Sequence, residues 1–275
     1  MRRRLPVLLF ALPLFITLLF IAAPVPAADS RPIKVLIITG DHGHKWKQTT
    51  PFLKKLLTKA GMEVDVTETP ARDLTSDNLA KYDVFFLNYK DTKAGKPETR
   101  WSEENKKAFA DAVSGGKGLV VYHHASSAFT SGSGFDKEFE SVIAGGWRRQ
   151  GNHGKAHVFS VTIRKADHPI TKGMPSEFKH ANDELYQNSV IPEGSVILAT
   201  AFSDNTTDEK NSGKHEPVVW VATHGKGRVV ENVLGHDVAA MQDLGFQTLM
   251  IRCVEWAATG NVHHAVPDEL KTAEK

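Results

Sequence analysis

The chain has 275 residues, of which 41% are apolar and 24% charged, a balance that fits a folded globular protein and excludes disorder over the whole length. A formal net charge of +2 is too small to recruit nucleic acid or an anionic membrane by charge. A single cysteine, Cys253, excludes an internal disulfide and a cysteine-rich zinc site.

The N-terminus reads as an address. Arg2, Arg3 and Arg4 precede the apolar run Leu5 to Ala23, and Val25-Pro26-Ala27 supplies the small residues of a cleavage site. This is the three-part pattern of a secretory signal peptide, assigned here to residues 1–27. The apolar run is long enough to span a bilayer, so a membrane-anchored form is the alternative; Pro6, Pro13 and Pro24 speak against it. Either way the folded part is expected outside the cytoplasm, periplasmic or secreted, with no membrane contact beyond this segment.

Ile33 to Thr39, ending at Gly40, is a short β-branched run and predicts a buried parallel strand. Thr49 to Ala60 sets Phe52, Leu53, Leu56 and Leu57 at helical spacing, with Pro51 in the first turn and Gly61 as the stop. Glu63 to Thr67 and Tyr82 to Asn88 predict two more strands. Glu103 to Val113 predicts a helix ended by Gly115-Gly116, and Gly118 to Tyr122 a fourth strand. Strands alternating with helices imply a parallel sheet covered on both faces. Past Tyr122 the pattern loosens. Ser126 to Gly134 is a Ser/Gly-rich loop, and His157 to Ile163, Ser195 to Ala201, Val218 to Thr223 and Arg228 to Leu234 predict further strands. Gly225-Lys226-Gly227-Arg228 reads as a hairpin turn rather than a phosphate loop, because it opens no helix. Gln242 to Ala258 predicts a closing helix, and residues 261–275 form a charged tail expected to fray. Residues 33–260 carry no repeat and no linker, so one domain is expected.

In an open parallel sheet, ligands bind beyond the carboxyl ends of the strands. The chain has 13 histidines, and several fall there. His42 and His44 follow the first strand, His123 and His124 the fourth, His224 the strand ending near Ala222, and His236 with Asp237 the last.

Four segments, TGDHGHKW (39–46), GLVVYHHAS (118–126), HPITKGMP with DELY (168–175 and 183–186) and GKGRVVENVLGHD (225–237), together resemble the ThuA-like (trehalose utilisation) family. The resemblance covers about Ile33 to Gly260. It implies a flavodoxin-like, class I glutamine amidotransferase-like fold: a three-layer sandwich with a mostly parallel sheet. It also implies an association with sugar utilisation, of trehalose and related oxidised sugars, which is a pathway link and not a substrate. The chain departs from the family at Tyr122-His123-His124, where relatives carry one histidine and then a small residue; His123 is the match.

Amidotransferases place a nucleophilic cysteine on the sharp turn between a strand and a helix. The equivalent turn here holds His123 and His124, while Cys253 falls in the closing helix among Ile251, Val254 and Trp256 as a core thiol. Cysteine-dependent glutaminase activity is therefore not expected. Ser126 and Ser127 sit in no G-x-S-x-G frame.

The candidate catalytic residues are His123, His236 and Glu184. An imidazole at a strand end can act as a base near neutral pH or ligate a metal. The candidate substrate-binding residues are His44, His124, Trp147, His153, Asp183 and Tyr186. Adjacent carboxylates on an extended segment point opposite ways, so at most one of Asp183 and Glu184 enters the site, with Tyr186 on the face of Glu184. Gly145-Gly146-Trp147 with Asn152-His153 resembles a family segment whose aromatic ring would stack on a sugar. For each residue the competing reading is structural: a polar loop, a core ring or a surface salt bridge. His44, His123 and His236 could ligate a divalent metal such as zinc, though no H-E-x-x-H spacing ties them together. Two functions remain open. One is an enzyme acting on a carbohydrate or oxidised keto sugar, as a hydrolase, lyase or isomerase. The other is a carbohydrate-binding protein without turnover. The partner in both is a small carbohydrate, and a homo-oligomer is compatible with either.

Overall fold

The computed structural model describes residues 31–40, 44–91, 100–130 and 135–272. The signal-peptide assignment at 1–27, His42 and the last tail residues lie outside the described residues. Among the described residues no helix is long and apolar enough to cross a membrane.

The first half alternates as its sequence pattern dictates. β1 (Lys34–Gly40) is followed by α1 (Trp46–Lys59), β2 (Glu63–Thr67), the short helices α2 (Pro70–Asp73) and α3 (Ser76–Leu79), and β3 (Val84–Tyr89). Then come α4 (Glu103–Ser114) and β4 (Gly118–Tyr122). α4 begins at a capping box in which Ser102 and Asn105 bond each other's backbone N–H, satisfying two of the helix's free donors. β3 and β4 are buried at every residue, as strands covered on both faces must be.

The second half adds α5 (Asp136–Ile143), β5 (Asn152–His153), β6 (His157–Ile163), β7 (Glu177–Asp183) and β8 (Tyr186–Gln187). It closes with β9 (Val196–Phe202), β10 (His215–His224), β11 (Gly227–Asn232), α6 (Val238–Met241), α7 (Leu244–Thr259) and α8 (Asp268–Thr272). Among the described residues the main sheet has nine strands, in the order β2-β1-β3-β4-β11-β10-β9-β6-β7. From β2 to β11 the pairing is parallel, and from β11 to β7 it is antiparallel. Only β10 and β6 therefore run against the rest, and the sheet is mostly parallel in strand direction. β5 and β8 form a separate two-stranded ladder.

Two apolar cores lie on opposite faces. Alternate residues of β1, β3 and β4, such as Ile37, Phe86 and Val120, pack with Leu53 and Leu57 of α1 and Leu249 and Cys253 of α7. The intervening ones, such as Leu36, Phe85 and Val121, pack with Phe109 of α4 and Phe139 of α5. Each such Leu or Phe taken fully from water contributes roughly 1.5–3 kcal/mol. The result is three layers, helix–sheet–helix, within the compact unit that begins at Pro32.

Several features depart from the sequence reading, α5 and β5 among them, for it placed no element there. β7 went unpredicted, because its inward positions are Phe178, His180 and Asp183, which give no apolar alternation. The segment after Gly260 docks instead of fraying: Val266 and Leu270 are buried in the core of α7, and Glu255 accepts the backbone N–H groups of His263 and His264. His224 ends the reversed strand β10 beside the β10–β11 hairpin, at the opposite edge of the sheet from the other strand-end histidines. The hairpin itself forms as expected, and Arg228 donates to the carbonyls of Trp256, Ala257 and Ala258 at the end of α7.

The turn after β11 depends on Gly235. Its φ is +97°, and a Cβ there would lie 2.5 Å from the Phe246 ring. Gly235→Ala is therefore expected to lower stability by about 1–3 kcal/mol, measured by denaturant unfolding.

Candidate functional site

β4 delivers His123 to a sharp turn. The residue has φ 44°, a left-handed conformation that costs a non-glycine residue about 1–3 kcal/mol and persists only where its surroundings enforce it. A 3-10 turn, His123–Ser127, follows. The Ser126 and Ser127 hydroxyls donate to the carbonyls of His123 and His124, each at 2.9 Å, so they tie the turn down. Buried Arg148 donates to the carbonyls of Ser126 and Ala128 from the other side. A buried strand, a left-handed residue and a 3-10 turn thus follow one another, with an imidazole at the apex. Cys253 lies in α7, fully buried, and burial pushes its thiol up to about 12.

The His123 ring is 1% exposed. Its Nδ1 lies 2.7 Å from the Val233 carbonyl. A carbonyl only accepts, so Nδ1 carries the hydrogen and Nε2 is left as the acceptor. Nε2 receives the Tyr186 hydroxyl at 3.0 Å and lies 3.6 Å from Glu184 Oε2.

Glu184 is the focus of the cluster. It directly follows β7, and its Oε2 is 3.7 Å from His44 Nε2 and 3.1 Å from His236 Nδ1. One ligand atom from each of His44, His123, Glu184 and His236 lies within 4.8 Å of all the others. A tetrahedral zinc with ligands at about 2.0–2.1 Å needs its donors roughly 3.4 Å apart. The three imidazole nitrogens surround the carboxylate at nearly that spacing, and the four residues could hold one divalent ion after small adjustments. His153 Nε2 approaches the other oxygen, Oε1, at 3.9 Å.

The charges agree with this grouping. Burial alone would raise the Glu184 carboxyl, but the imidazoles grouped around it outweigh burial and hold the group well below the usual carboxylate range. Contact with Glu184 raises His236 despite its burial. Burial lowers His44, against the pull of Glu184. The same carboxylate thus meets imidazoles tuned in opposite directions.

A cleft of about 390 Å³ opens on this cluster, lined by His44, Lys45, His124, Trp147, His153, Glu184 and His236. His124 lies against His44 with ring centroids 3.8 Å apart. Trp147 is delivered by Gly146, whose φ is +90° and whose absent side chain leaves room for Ser126, 2.7 Å from where a Cβ would stand. His153 pairs with Tyr186 across the β5–β8 ladder, and the Trp147 ring stands 4.1 Å from that of Tyr186.

The sequence candidates therefore divide. His44, His123, Glu184 and His236 converge, and His124, Trp147 and His153 line the same cleft. Tyr186 lies behind it, 1% exposed, against His123. Asp183 turns the other way, as adjacent residues of an extended segment do. Its carboxylate is buried and accepts the backbone N–H of Glu184, Gly235 and His236, so it is not presented to a substrate. Sequence reasoning missed Lys45, which lines the mouth 3.8 Å from Asp237, although it sits next to His44. It also missed His180, whose buried Nε2 lies 2.8 Å from Asp183 Oδ2; no local pattern marks it.

Fold and cleft together define an α/β/α sandwich with its polar residues gathered at one sheet edge. The family model for trehalose utilisation, ThuA, matches residues 34–257, and the chain belongs to that family. A ThuA-like protein from Parabacteroides merdae has 32% identity and a TM-score of 0.76, with 87% of this chain and 95% of that one covered. A second, from Bacteroides uniformis, has 20% identity and a TM-score of 0.67, with 88% and 98% covered. A glutamine amidotransferase from Thermotoga maritima shows 12% identity and a TM-score of 0.45 over 82% of this chain and 96% of that one. A comparison with curated proteins found no match.

The charged network behind the site has a pH signature. Burial would lower His180, but Asp183 and Asp243 outweigh it and raise it to about 9. A group raised in the fold stabilises fully below its unfolded value, near 6.5, and loses that contribution as pH climbs through its folded value. Stability should therefore fall by on the order of 1–3 kcal/mol between pH 6.5 and 9. His180→Gln should flatten this decline in thermal unfolding followed across pH.

Proposed function

We propose that this protein is an exported enzyme that acts on a carbohydrate or an oxidised keto sugar. In this reading it uses a divalent cation such as zinc, held by His44, His123, Glu184 and His236. The observation that carries the reading is the convergence of three imidazoles on one carboxylate at the floor of an open cleft. When bound, the ion would polarise a sugar carbonyl or lower the pKa of a water molecule. His153 and His124 line the same space, and an imidazole can serve as a general acid or base. Trp147 offers an apolar face beside them, on which a sugar ring can lie. Cysteine-dependent glutamine hydrolysis does not suit this cleft, because the chain's one thiol is inside α7.

Trp147 and the size of the cleft also suit the second reading, sugar binding without turnover. One experiment separates the two. The purified wild type, stripped with chelator and dialysed against zinc, should carry about one ion per chain by elemental analysis. It should also turn over a member of a keto-sugar panel. Glu184→Gln should lose both properties, with turnover falling at least ~100-fold. Sugar binding with no ion and no turnover in the wild type would establish the second reading instead.

A further inference from the structure

We infer that Asp183 is the positioning residue of this site, fixing Glu184 and His236 through their backbones, with His180 as its buried partner. The inference rests on the cation reading above for its function and on the following geometry for its mechanism.

Asp183 Oδ1 accepts two backbone N–H groups, that of Glu184 at 2.8 Å and that of His236 at 2.9 Å. These belong to two of the four residues around the proposed ion. The segment carrying His236 lies 53 residues further along the chain than Asp183, yet both amides share one oxygen atom. Asp183 Oδ2 accepts the Gly235 N–H at 2.6 Å and faces His180 Nε2 at 2.8 Å. An ionised carboxylate has about four acceptor directions, and all four are in use. The spacing between the Glu184 and His236 backbones is thus set by one rigid group.

The network continues into the scaffold. His180 Nδ1 lies 3.6 Å from Asp243 Oδ1, and Asp243 caps α7 by accepting the Phe246 N–H at 2.8 Å. The side chains of Asp183 and His180 are both 0% exposed, so neither can touch a substrate or an ion in the cleft. Tyr122 donates to the Gly235 carbonyl, so the loop carrying His236 is held on both sides of Gly235.

A buried ion pair can serve the fold alone, and the test must tell that role from positioning. Zinc affinity would be measured by chelator competition at 20 °C, below the unfolding transition, in the full chain. Asp183→Asn replaces one acceptor oxygen with an NH2 group that can accept from neither Gly235 nor His180. It should weaken zinc binding 10- to 100-fold. His180→Gln keeps the carboxylate and its three backbone bonds, and should weaken binding several-fold; it carries the test if Asp183→Asn does not fold. Leu249→Ala, a core change in α7 away from the cleft, should lower the melting temperature and leave zinc affinity unchanged. Zinc affinity in the Asp183 and His180 variants equal to the wild type would overturn the inference and leave the cation reading standing. If the wild type takes no zinc, the cation reading falls and hydrogen exchange decides the inference. The Glu184 and His236 amides should lose more protection in Asp183→Asn than the core amides of the same variant do, whereas in Leu249→Ala they should fall only in step with the core; a loss in Asp183→Asn no greater than that of the core amides would overturn it.

Discussion

Glu184 stands among the rings of His44, His123 and His236, and such a grouping holds only if the backbones that carry it are fixed from behind. The carboxylate of Asp183 supplies that restraint. Three strands separate β7 from β11 in sheet order, yet its last residue bonds the loop that follows β11. Because β7 runs in the same sense as the parallel strands, its end arrives at the edge where β4 and β11 also end. Fold and cleft are therefore joined by a buried polar contact as well as by apolar packing. Such a contact is strong because it is fully satisfied, and vulnerable for the same reason.

The turn at His123 shows how backbone geometry places a side chain. A left-handed residue after a buried strand projects its side chain over the sheet edge, whatever that side chain is. In this chain the turn is braced by Ser126, Ser127 and Arg148, each of which donates to backbone carbonyls, and Arg148 is itself held by the Asp136 carboxylate. The bracing offsets the conformational cost of His123. It also explains why the serines next to it remain structural.

Much of this was legible in the sequence. The alternating apolar runs from Ile33 to Tyr122 gave the parallel half, since a strand buried on both faces writes its own signature. The rule that sites lie beyond strand ends brought out His44, His123 and His236, and the alternation of an extended segment allowed only one of Asp183 and Glu184 into the site without telling which; Asp183, kept as a substrate-binding candidate, is the one that turns away. What failed did so for physical reasons. β7 buries His180 and Asp183 where a strand ordinarily buries apolar side chains, so periodicity could not find it. His224 was misplaced because strand direction is not readable from a strand's own residues: β10 is reversed by the tight turn at Gly225-Lys226. The tail was judged by its charge, while its docking rests on Val266 and Leu270 and on the bonds that Glu255 and Arg252 make to the backbone of residues 263 and 264.

The contact between Tyr186 and His123 has a consequence for how the cleft takes up any ligand. The imidazole is bonded at both nitrogens, to a carbonyl on one side and a phenol on the other, so it cannot swing away while it waits. Whatever binds Nε2 must displace the phenolic hydrogen from the single lone pair. Capture at this ring is therefore a swap of partners with little rearrangement of the ring itself. The displaced hydroxyl would remain within reach, beside whatever had replaced it.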